Sequence, residues 1–410
     1  MEWLSSLERV VKLMNKKISI GAAVSLMALT AAVSITLTAL LVMNSLNGRL
    51  ASLTQRTALL QKLTAVDSLV REKYVGNLDS TALIDDTIAG YIKGTGDKYG
   101  AYLDAEDYSA LEQRTSGEGL GIGVNVVSGS DGTIRVVSVI SGSPAQKAGV
   151  KVGDEITSIG GQDVKTAGYA SAVNLLKGSE GSTVQFNVLR GSMTLPFSVV
   201  RQKYTLESVQ SRRIGNLGYV RIVEFDANTA DQFSKQVDSL IAGGAKGLVF
   251  DVRNNPGGRV DAAAKMIDKL VPAGPIVRAK YRTGAIQTLY TSDAKQVNLP
   301  MVVLQNGNTA SAAELFTAAL RDYGKAKSVG TKTYGKGTMQ EFLSLHDGTA
   351  LDLSVAYFYP PKSDNFEGVG LQPDIPSELS AAAQQNQYDL SMDDDTQLQT
   401  AISTVELQIK

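Results

Sequence analysis

The feature that most constrains this chain is an uninterrupted apolar run near its amino terminus. Ile18 to Met43 contains 26 residues without a charge. At a rise of 1.5 Å per residue a helix of this length reaches roughly 39 Å, which exceeds the ~30 Å hydrocarbon core of a bilayer. No polar face interrupts the run, which disfavours a buried helix of a soluble core. The run therefore predicts a transmembrane anchor at 18–43.

The charges that precede the run set its predicted orientation. Four basic residues stand there: Arg9, Lys12, Lys16 and Lys17. Because cytoplasmic flanks favour Lys and Arg, we expect residues 1–17 to form a cytoplasmic tail and the remainder to be exported. A cleaved signal peptide is the main alternative, since Thr30-Ala31-Ala32 offers small residues after a short apolar stretch. The run stays apolar for eleven residues beyond Ala32, which favours an uncleaved, single-pass anchor in the cell membrane.

Composition narrows the chemistry that the exported part can perform. Among 410 residues there is no Cys and a single His, and 40 Lys+Arg against 41 Asp+Glu give a net charge of −1. These counts exclude disulfides, thiolate nucleophiles, Cys-zinc sites and two-His zinc motifs. The balanced charge argues against a nucleic-acid partner. Any catalysis must rest on Ser, Thr, Lys, Asp, Glu, Gln or Tyr, and we expect no cofactor and no metal.

The segment 44–110 has the apolar spacing of helices. One stripe contains Leu46, Leu50, Leu53 and Leu60, and the same kind of face continues through Leu63, Val66 and Val70. This pattern predicts a helical N-terminal region. It is compatible with a coiled-coil stalk that makes a homodimer and equally with a helix packed on its own domain.

The next part of the chain changes to short, glycine-rich strands. Alternating apolar residues predict strands at 118–124, 134–139 and 183–188. Between them Ser143 and Pro144 begin a short helix that Gly149 ends, because Ser is a favoured N-cap and Pro fits the first helical position. Together with the Val-Gly-Asp-Glu-Ile segment at 152–156, this texture resembles a bacterial PDZ domain, which we place at 111–204.

The resemblance to PDZ domains implies a site for peptide carboxyl termini. In that family the loop before the second strand presents backbone N–H groups to a terminal carboxylate, and the matching residues are Gly119, Leu120, Gly121 and Ile122. Glycine lets the backbone approach the anion closely, and consecutive N–H groups bind it without a cationic side chain. The peptide would add a strand to the sheet edge. The implied partners are proteins with apolar carboxyl-terminal tails; alternatively, these glycines serve turns only.

Residues 205–380 have an α/β pattern. The predicted strands are 218–222, 247–253 and 300–304, with a helix at 231–241. The strands lack apolar–polar alternation, as expected where helices cover both faces of a sheet. A helical segment is expected at 381–410, and Asp393-Asp394-Asp395 before its helix is expected to be a solvated acidic turn rather than a metal site.

Two short segments of the α/β part contain candidate reactive groups. Ser311 follows a strand and precedes a helix, whose start supplies free N–H groups and a positive dipole end. Lys336 lies between two glycines, and Gln340, four positions on, shares its face. Taken alone, these would be an N-cap serine and a surface lysine in a turn. The lone His346 lies beside an Asp-Gly hairpin signal and is expected to be a solvated turn residue.

The order of the segments resembles the C-terminal processing (tail-specific) serine peptidases. The matching segments are 97–103 (Asp-Lys-Tyr-Gly-Ala-Tyr-Leu), the PDZ-like module, 251–258 (Asp-Val-Arg-Asn-Asn-Pro-Gly-Gly), the Ser311 turn, 336–340 and 368–374. The resemblance covers about residues 60 to 410. It implies a multi-domain chain with an N-terminal transmembrane helix, a helical N-terminal region, a β-rich PDZ domain and an α/β serine protease core outside the cytoplasm.

The same resemblance implies the roles of individual residues. It places the nucleophile at Ser311, the general base at Lys336 and an orienting amide at Gln340, with the N–H groups of Gly258 and Ala312 as the oxyanion hole. An ordinary Lys has a pKa of about 10.4, and burial can lower it to about 7–8 in catalytic cases. A glutamine can hold the amine without adding the negative charge that would raise this pKa.

Two other functions stay open at this point. The chain could be an inactive protease scaffold that acts as a PDZ adaptor; such a protein would be expected to lose at least one of Ser311, Lys336 and Gln340. It could also be a Ser-His hydrolase that uses His346. A Ser-His hydrolase would need a G-x-S-x-G nucleophile elbow, and Ser311 lies in Thr-Ala-Ser-Ala-Ala instead.

Overall fold

The computed structural model describes residues 19–129, 132–385 and 390–409. The predicted cytoplasmic tail, residues 1–17, lies outside the described residues, as do the side chains of Leu46 and Leu50. The chain divides into two compact units, 1–84 and 85–410. The second unit contains the PDZ-like module and the α/β part.

The described residues form helices in both units and strands in the second unit. Helices α1 to α11 are, in chain order, Ile20–Lys73, Ser80–Lys93, Ala105–Ser116, Pro144–Ala148, Val164–Ala167, Tyr169–Leu176, Thr229–Ala242, Val260–Asp268, Ala312–Asp322, Ala381–Gln385 and Thr396–Glu406. Strands β1 to β10 are Ala101–Leu103, Glu118–Gly121, Val124–Ser128, Ile134–Val139, Glu155–Ile159, Gln162–Asp163, Thr183–Arg190, Met193–Val200, Gln202–Thr205 and Val209–Ile214. Strands β11 to β19 are Leu217–Ile222, Gly247–Asp251, Gly274–Tyr281, Gln287–Ser292, Met301–Gln305, Ala326–Gly330, Thr338–Ser344, Ala350–Tyr359 and Ile375–Pro376.

The apolar run forms the first half of α1. Ser19 caps the helix, since its side chain accepts a hydrogen bond from the backbone N–H of Ala22. The stretch Ile20–Ser45 has a mean hydropathy of 2.2 and none of it is buried in the structure, so it is long and apolar enough to cross a bilayer. Beyond it α1 continues without a break, and Leu53 and Leu60 on the predicted stripe are exposed. The homodimer stays a prediction.

The PDZ-like module is a twisted sheet in the order β3-β4-β5-β7-β8, with β6 paired to β5 and three short helices. The helix expected after Ser143 forms as α4: its cap accepts from the N–H of Gln146, and Gly149 ends the helix with a φ of 88°. Strand β3 pairs only with β4, so its other edge carries no strand in the described part of the chain.

The α/β part is built on a six-stranded sheet in the order β10-β11-β12-β15-β16-β19, which is parallel from β11 onward. Every residue of β12 and β15 is buried. On one face α7, α8 and α9 enclose a core that includes Phe250, whose ring lies 5.6 Å from that of Phe316. On the other face α11 packs Leu398 and Val405 against Val302. Because helices cover both faces of the sheet, apolar side chains lie on both sides of these strands, and their sequences are unbroken apolar runs.

The structure corrects one expectation for the C-terminal segment, whose helix α11 covers one face of the six-stranded sheet. Asp395 is not a solvated turn residue: it is 4% exposed, caps α11 through the N–H of Leu398, and binds the guanidinium of Arg253 at 2.8 Å. Asp393 and Asp394 are exposed, as expected. Three adjacent carboxylates look alike in sequence, and only the fold brings an arginine to one of them.

The predicted helical N-terminal region also contributes to the second unit. Strand β1 pairs with β18 in a second sheet, β1-β18-β13-β14, with β17 on the other edge of β18. Helix α3 crosses residues 110/111 and ends at Ser116, with Gly117 as its cap, and β2 begins at Glu118. The 97–103 motif is therefore a turn and a strand beside β17 and β18.

Candidate active site

Ser311 lies at the carboxyl end of the parallel sheet, between strand β15 and helix α9. It is 9% exposed and adopts φ 57° and ψ −119°, an unfavourable conformation for a residue with a side chain. Such conformations persist only where the surrounding structure holds them, and they are concentrated at functional sites. The serine is therefore held in place by its neighbours rather than by its own backbone preference.

The loop after β12 supplies part of that support. The buried amide of Asn255 donates to the carbonyl of Ile222 at 2.9 Å and accepts from the N–H of Gly257 at 2.8 Å. The backbone carbonyl of Asn255 accepts from Ala310, next to the serine, at 3.0 Å. Gly257 has a φ of 101°, and a Cβ there would lie 2.7 Å from the Ser311 Cβ. Only glycine lets the loop approach the serine this closely.

Two backbone N–H groups near the serine are available to bind an anion. Within the described residues, neither the N–H of Gly258 nor the N–H of Ala312 donates a hydrogen bond. Ala312 is the first residue of α9, where helical N–H groups lack intrahelical partners and the helix dipole is positive. These are the two positions that the sequence assigns to the oxyanion hole.

Lys336 precedes strand β17 and is held by uncharged groups. Its ammonium binds the Oε1 of Gln340 and lies 4.7 Å from the centroid of the Tyr99 ring. The Nε2 of Gln340 in turn donates to the Tyr99 carbonyl at 2.9 Å. Burial lowers the pKa of Lys336, against an opposing effect of nearby carboxylates. The environment therefore favours the neutral amine that a general base requires.

Ser311 and Lys336 share one cleft. Together with Gln340 and Gly258 they line a cavity of about 620 Å³. Within the described residues no hydrogen bond joins the Ser311 Oγ to the Lys336 Nζ, because the amine is engaged with Gln340. The structure thus places the predicted pair in the same cavity without direct contact.

Glu314 is a site residue that the sequence analysis did not single out. It is fully buried, and its Oε2 accepts from the backbone N–H groups of Ser311 and Lys336, each at 2.8 Å. Its Oε1 accepts from the N–H of Gly335 at 2.8 Å and from the hydroxyl of Thr333 at 2.5 Å. One carboxylate thus ties the segment that contains Ser311 to the segment that contains Lys336.

A sequence signal for Glu314 existed. A serine followed three residues later by Glu is the spacing of a capping box at a helix start. The Glu-to-Ser311 half of that box is present. Burial raises the pKa of Glu314, although its four donors partly offset this effect. The contacts to Thr333 and Gly335 could not be inferred from the spacing.

The predicted carboxylate-binding residues of the PDZ-like module divide between a strand and a turn. Gly119, Leu120 and Gly121 lie in β2, where the backbone pairs with β9. Ile122 is buried in the module's core, and within the described residues neither its N–H nor that of Gly123 donates a hydrogen bond. Strand pairing thus engages part of the backbone at 118–121, whereas the N–H groups of residues 122 and 123 donate no hydrogen bond within the described residues.

His346 lies away from the cleft. It occupies the turn between β17 and β18 with a φ of 67°, is exposed, and contacts Ser344 through its backbone N–H. The predicted hairpin is confirmed.

Comparisons with known proteins agree with this architecture. The profile of Peptidase family S41 matches residues 216–377, and that of the PDZ domain matches residues 119–200. The carboxy-terminal processing protease CtpA of Bacillus subtilis is 33% identical over 321 residues, covering 78% of this chain and 69% of that protein. The chain belongs to peptidase family S41.

Two solved structures are similar to this S41 peptidase. The photosystem II D1 C-terminal processing protease is 28% identical, covers 77% of this chain and 86% of its own, and has a TM-score of 0.46. A structure from Bacteroides fragilis described as an S41 protease is 18% identical, with a TM-score of 0.52 over 78% of this chain and 90% of its own. The latter shows the shared fold. The chain is thus a C-terminal processing serine peptidase with a PDZ domain and an S41 core.

Proposed function

We propose that this S41 peptidase is a membrane-anchored serine endopeptidase that uses Ser311 as nucleophile and Lys336 as general base, and that cleaves proteins near their carboxyl termini. The observation that carries the proposal is the composition of the cleft. It combines a strained, buried serine, a lysine whose pKa is lowered by burial, and two unused backbone N–H groups beside the serine. These are the parts that acyl transfer without histidine requires.

The reaction follows from these parts. The Lys336 amine leaves Gln340, accepts the proton of the Ser311 hydroxyl, and the freed oxygen bonds to the scissile carbonyl carbon. The N–H groups of Gly258 and Ala312 stabilise the resulting oxyanion, an effect worth about 3–4 kcal/mol per donor. The lysine then gives its proton to the leaving amine, and a water molecule hydrolyses the acyl-enzyme by the same path.

The lining of the cleft indicates which residues it accepts. Leu111, Val260, Met339 and Phe342 line the cavity beside the reacting groups. Burial of apolar side chains against such a wall is favourable, so we infer a preference for apolar residues next to the scissile bond.

The PDZ domain would deliver the tail. The open edge of β3 can accept a further strand, and the free N–H groups at 122–123 can bind a terminal carboxylate. The apolar stretch Ile20–Ser45 would hold the enzyme in the membrane, with residues 1–17 cytoplasmic and the peptidase outside. The expected partners are therefore exported or membrane proteins with apolar tails.

An inactive adaptor is the second candidate, and one observation favours it: the lysine binds Gln340 rather than Ser311. The test is cleavage of an unfolded protein and of a peptide with an apolar tail by the full-length chain in detergent. Wild type should cleave both, whereas Ser311→Ala and Lys336→Ala should each abolish turnover and His346→Ala should not. Tail binding without cleavage by wild type would establish the adaptor instead.

A further inference from the structure

Three carboxylates act electrostatically on the Lys336 amine, and each opposes the lowering of its pKa by burial. They belong to Asp352, Glu367 and Asp97. They come from different elements: strand β18, the loop that precedes Gly368, and the turn before β1. Lys336 is thus a base with carboxylates as neighbours. The three carboxylates differ in their other hydrogen-bond partners.

Two of the three are already engaged in holding the backbone around the site. Asp97 accepts from the N–H and hydroxyl of Ser354 at 2.8 and 2.9 Å and from the N–H of Tyr99 at 3.0 Å. Glu367 accepts from the N–H of Gly337 at 2.7 Å and from the Tyr99 hydroxyl at 3.1 Å. Neither carboxylate has an oxygen without a partner.

Asp352 is different. It lies in β18, directly opposite Phe342 of β17 on one side and Ala101 of β1 on the other. Its Oδ1 is shielded from solvent and has no hydrogen-bond partner within the described residues. Buried polar atoms without a partner are rare in native structures and need an explanation.

We propose that Asp352 is the counter-ion of the ammonium that Lys336 becomes during acylation. The inference rests on the proposed function. When the proton moves from the Ser311 Oγ to the Lys336 Nζ, a positive charge appears in a half-buried site. Gln340 is neutral, and the other two carboxylates are engaged. Asp352 takes no proton in the cycle, so it is a positioning residue that acts on the reaction through Lys336.

The electrostatics of the site agree with this role. Burial raises the pKa of Asp352 to about 6, with a further increase from Asp97, while Lys336 and the Gln340 amide oppose it by stabilising the ionised form. At neutral pH the carboxylate is therefore charged. Among the described residues, five titratable groups besides Asp352 lie around the lysine. Asp97, Lys98 and Tyr99 belong to the turn before β1, Glu367 belongs to its loop, and Glu314 of α9 binds the Lys336 backbone N–H.

Removing the charge of Asp352 should lower the pKa of Lys336, because an ionised Asp352 raises that pKa. Activity requires the neutral amine and rises with pH through this pKa. Asp352→Asn should therefore move the ascending limb to lower pH, by about one pH unit for an opposite charge at close range. It should also lower the plateau rate roughly 3- to 5-fold, because a weaker base accepts the proton less well.

The experiment measures kcat/KM for a dye-labelled unfolded casein from pH 5 to pH 10, with the full-length chain in detergent. Asp352→Glu keeps the charge and should keep the wild-type midpoint. Glu341→Gln is the matched control, since it removes an exposed carboxylate from neighbouring strand β17. An unchanged midpoint in Asp352→Asn, or an equal shift in Glu341→Gln, would overturn the proposal.

A second measurement keeps this test separate from that of the proposed function. The rate at which acetic anhydride modifies Lys336, followed by peptide mass spectrometry across the same pH range, reports the pKa of the amine without turnover. Asp352→Asn should lower this pKa, and an unaltered value would refute the role of Asp352. Absence of cleavage by wild type would instead count against the peptidase assignment alone.

Discussion

Replacing Glu314 by Gln tests how the two halves of the site are joined. The carboxylate accepts four hydrogen bonds, two at each oxygen, from Ser311, Lys336, Gly335 and Thr333. A glutamine keeps one acceptor oxygen and puts an NH₂ group at the other position. The Thr333 hydroxyl can rotate and accept from this group, but the N–H of Gly335 cannot. The amide should therefore face Thr333 and Gly335.

The loss of stability in Glu314→Gln can be estimated from the hydrogen bonds that the substitution changes. One buried N–H without an acceptor costs about 1–3 kcal/mol, and the bonds at the retained oxygen lose their ionic strengthening, at about 0.5–1 kcal/mol each. Burial raises the pKa of Glu314, so a neutral amide avoids part of the desolvation cost of the charge. We expect a net loss of about 2–4 kcal/mol, which lowers the melting temperature by about 3–6 °C for a unit of this size.

The assay pairs thermal unfolding with active-site labelling of Ser311 by a fluorophosphonate. Labelling and kcat should fall about tenfold or more, since a small displacement of the serine relative to the lysine is costly. Thr333→Val removes one of the four bonds to Glu314 and also the bond that the Thr333 hydroxyl accepts from the N–H of Leu371 at 2.6 Å. It leaves the bonds from Ser311 and Lys336 in place, so it should lower labelling less than Glu314→Gln. Glu341→Gln is the exposed control. A Glu314→Gln enzyme with wild-type melting and wild-type labelling would refute the view that this carboxylate holds the two segments together.

Three further changes have defined outcomes. Gly258→Ala should destabilise the unit by about 2 kcal/mol or more in urea unfolding, because φ is 127° and the new Cβ collides with the carbonyl of Phe225; an unchanged midpoint would contradict this. Tyr169→Phe should tighten binding of an apolar-tailed peptide several-fold by calorimetry, since the Tyr169 hydroxyl now occupies the Val126 carbonyl at 3.0 Å that a bound strand could use; weaker binding would instead show that the hydroxyl contacts the peptide. Asp352→Asn should raise the free energy of unfolding at pH 7.5 by about 1–2 kcal/mol and leave it unchanged near pH 4. Burial raises the pKa of Asp352 to about 6. The protonated carboxyl therefore stabilises the folded state below the unfolded pKa, and this contribution is lost as the pH rises through 6. Equal melting shifts at both pH values would argue against that linkage.

Much of the fold could be predicted because it depends on short-range patterns. Ser143 and Gly149 bound α4 as expected, since capping involves only a few neighbouring residues. The unbroken apolar runs at 247–251 and 301–305 are the doubly covered strands that such runs indicate. The N-terminal region was less predictable: a three-residue strand, β1, lies within a segment whose spacing suggested helix throughout, because its pairing with β18 depends on distant residues.

In the candidate site, too, some features could be predicted from the sequence and others could not. Ser311, Lys336 and Gln340 were all predicted, and the structure brings them to one cleft. The sequence analysis missed Glu314 as a link, and it did not predict that Gly119, Leu120 and Gly121 of the proposed carboxylate-binding loop pair with β9. Both depend on contacts with other segments: the N–H groups of the lysine segment in the first case, and pairing with β9 in the second.

By itself, the sequence determined the apolar stretch that is long enough to cross a membrane, the ends of α4 and, to within two residues, those of α7, and the order of motifs along the chain. Each of these depends on residues within a few positions of one another. Tertiary structure alone decided that Asp395 would bind Arg253, 142 positions away, and that the carboxylate of Glu314 would bind the backbone N–H groups of both Ser311 and Lys336. The physical reason is that a charged side chain takes the partner that the packing of strands and helices brings within reach, and local spacing does not specify that packing.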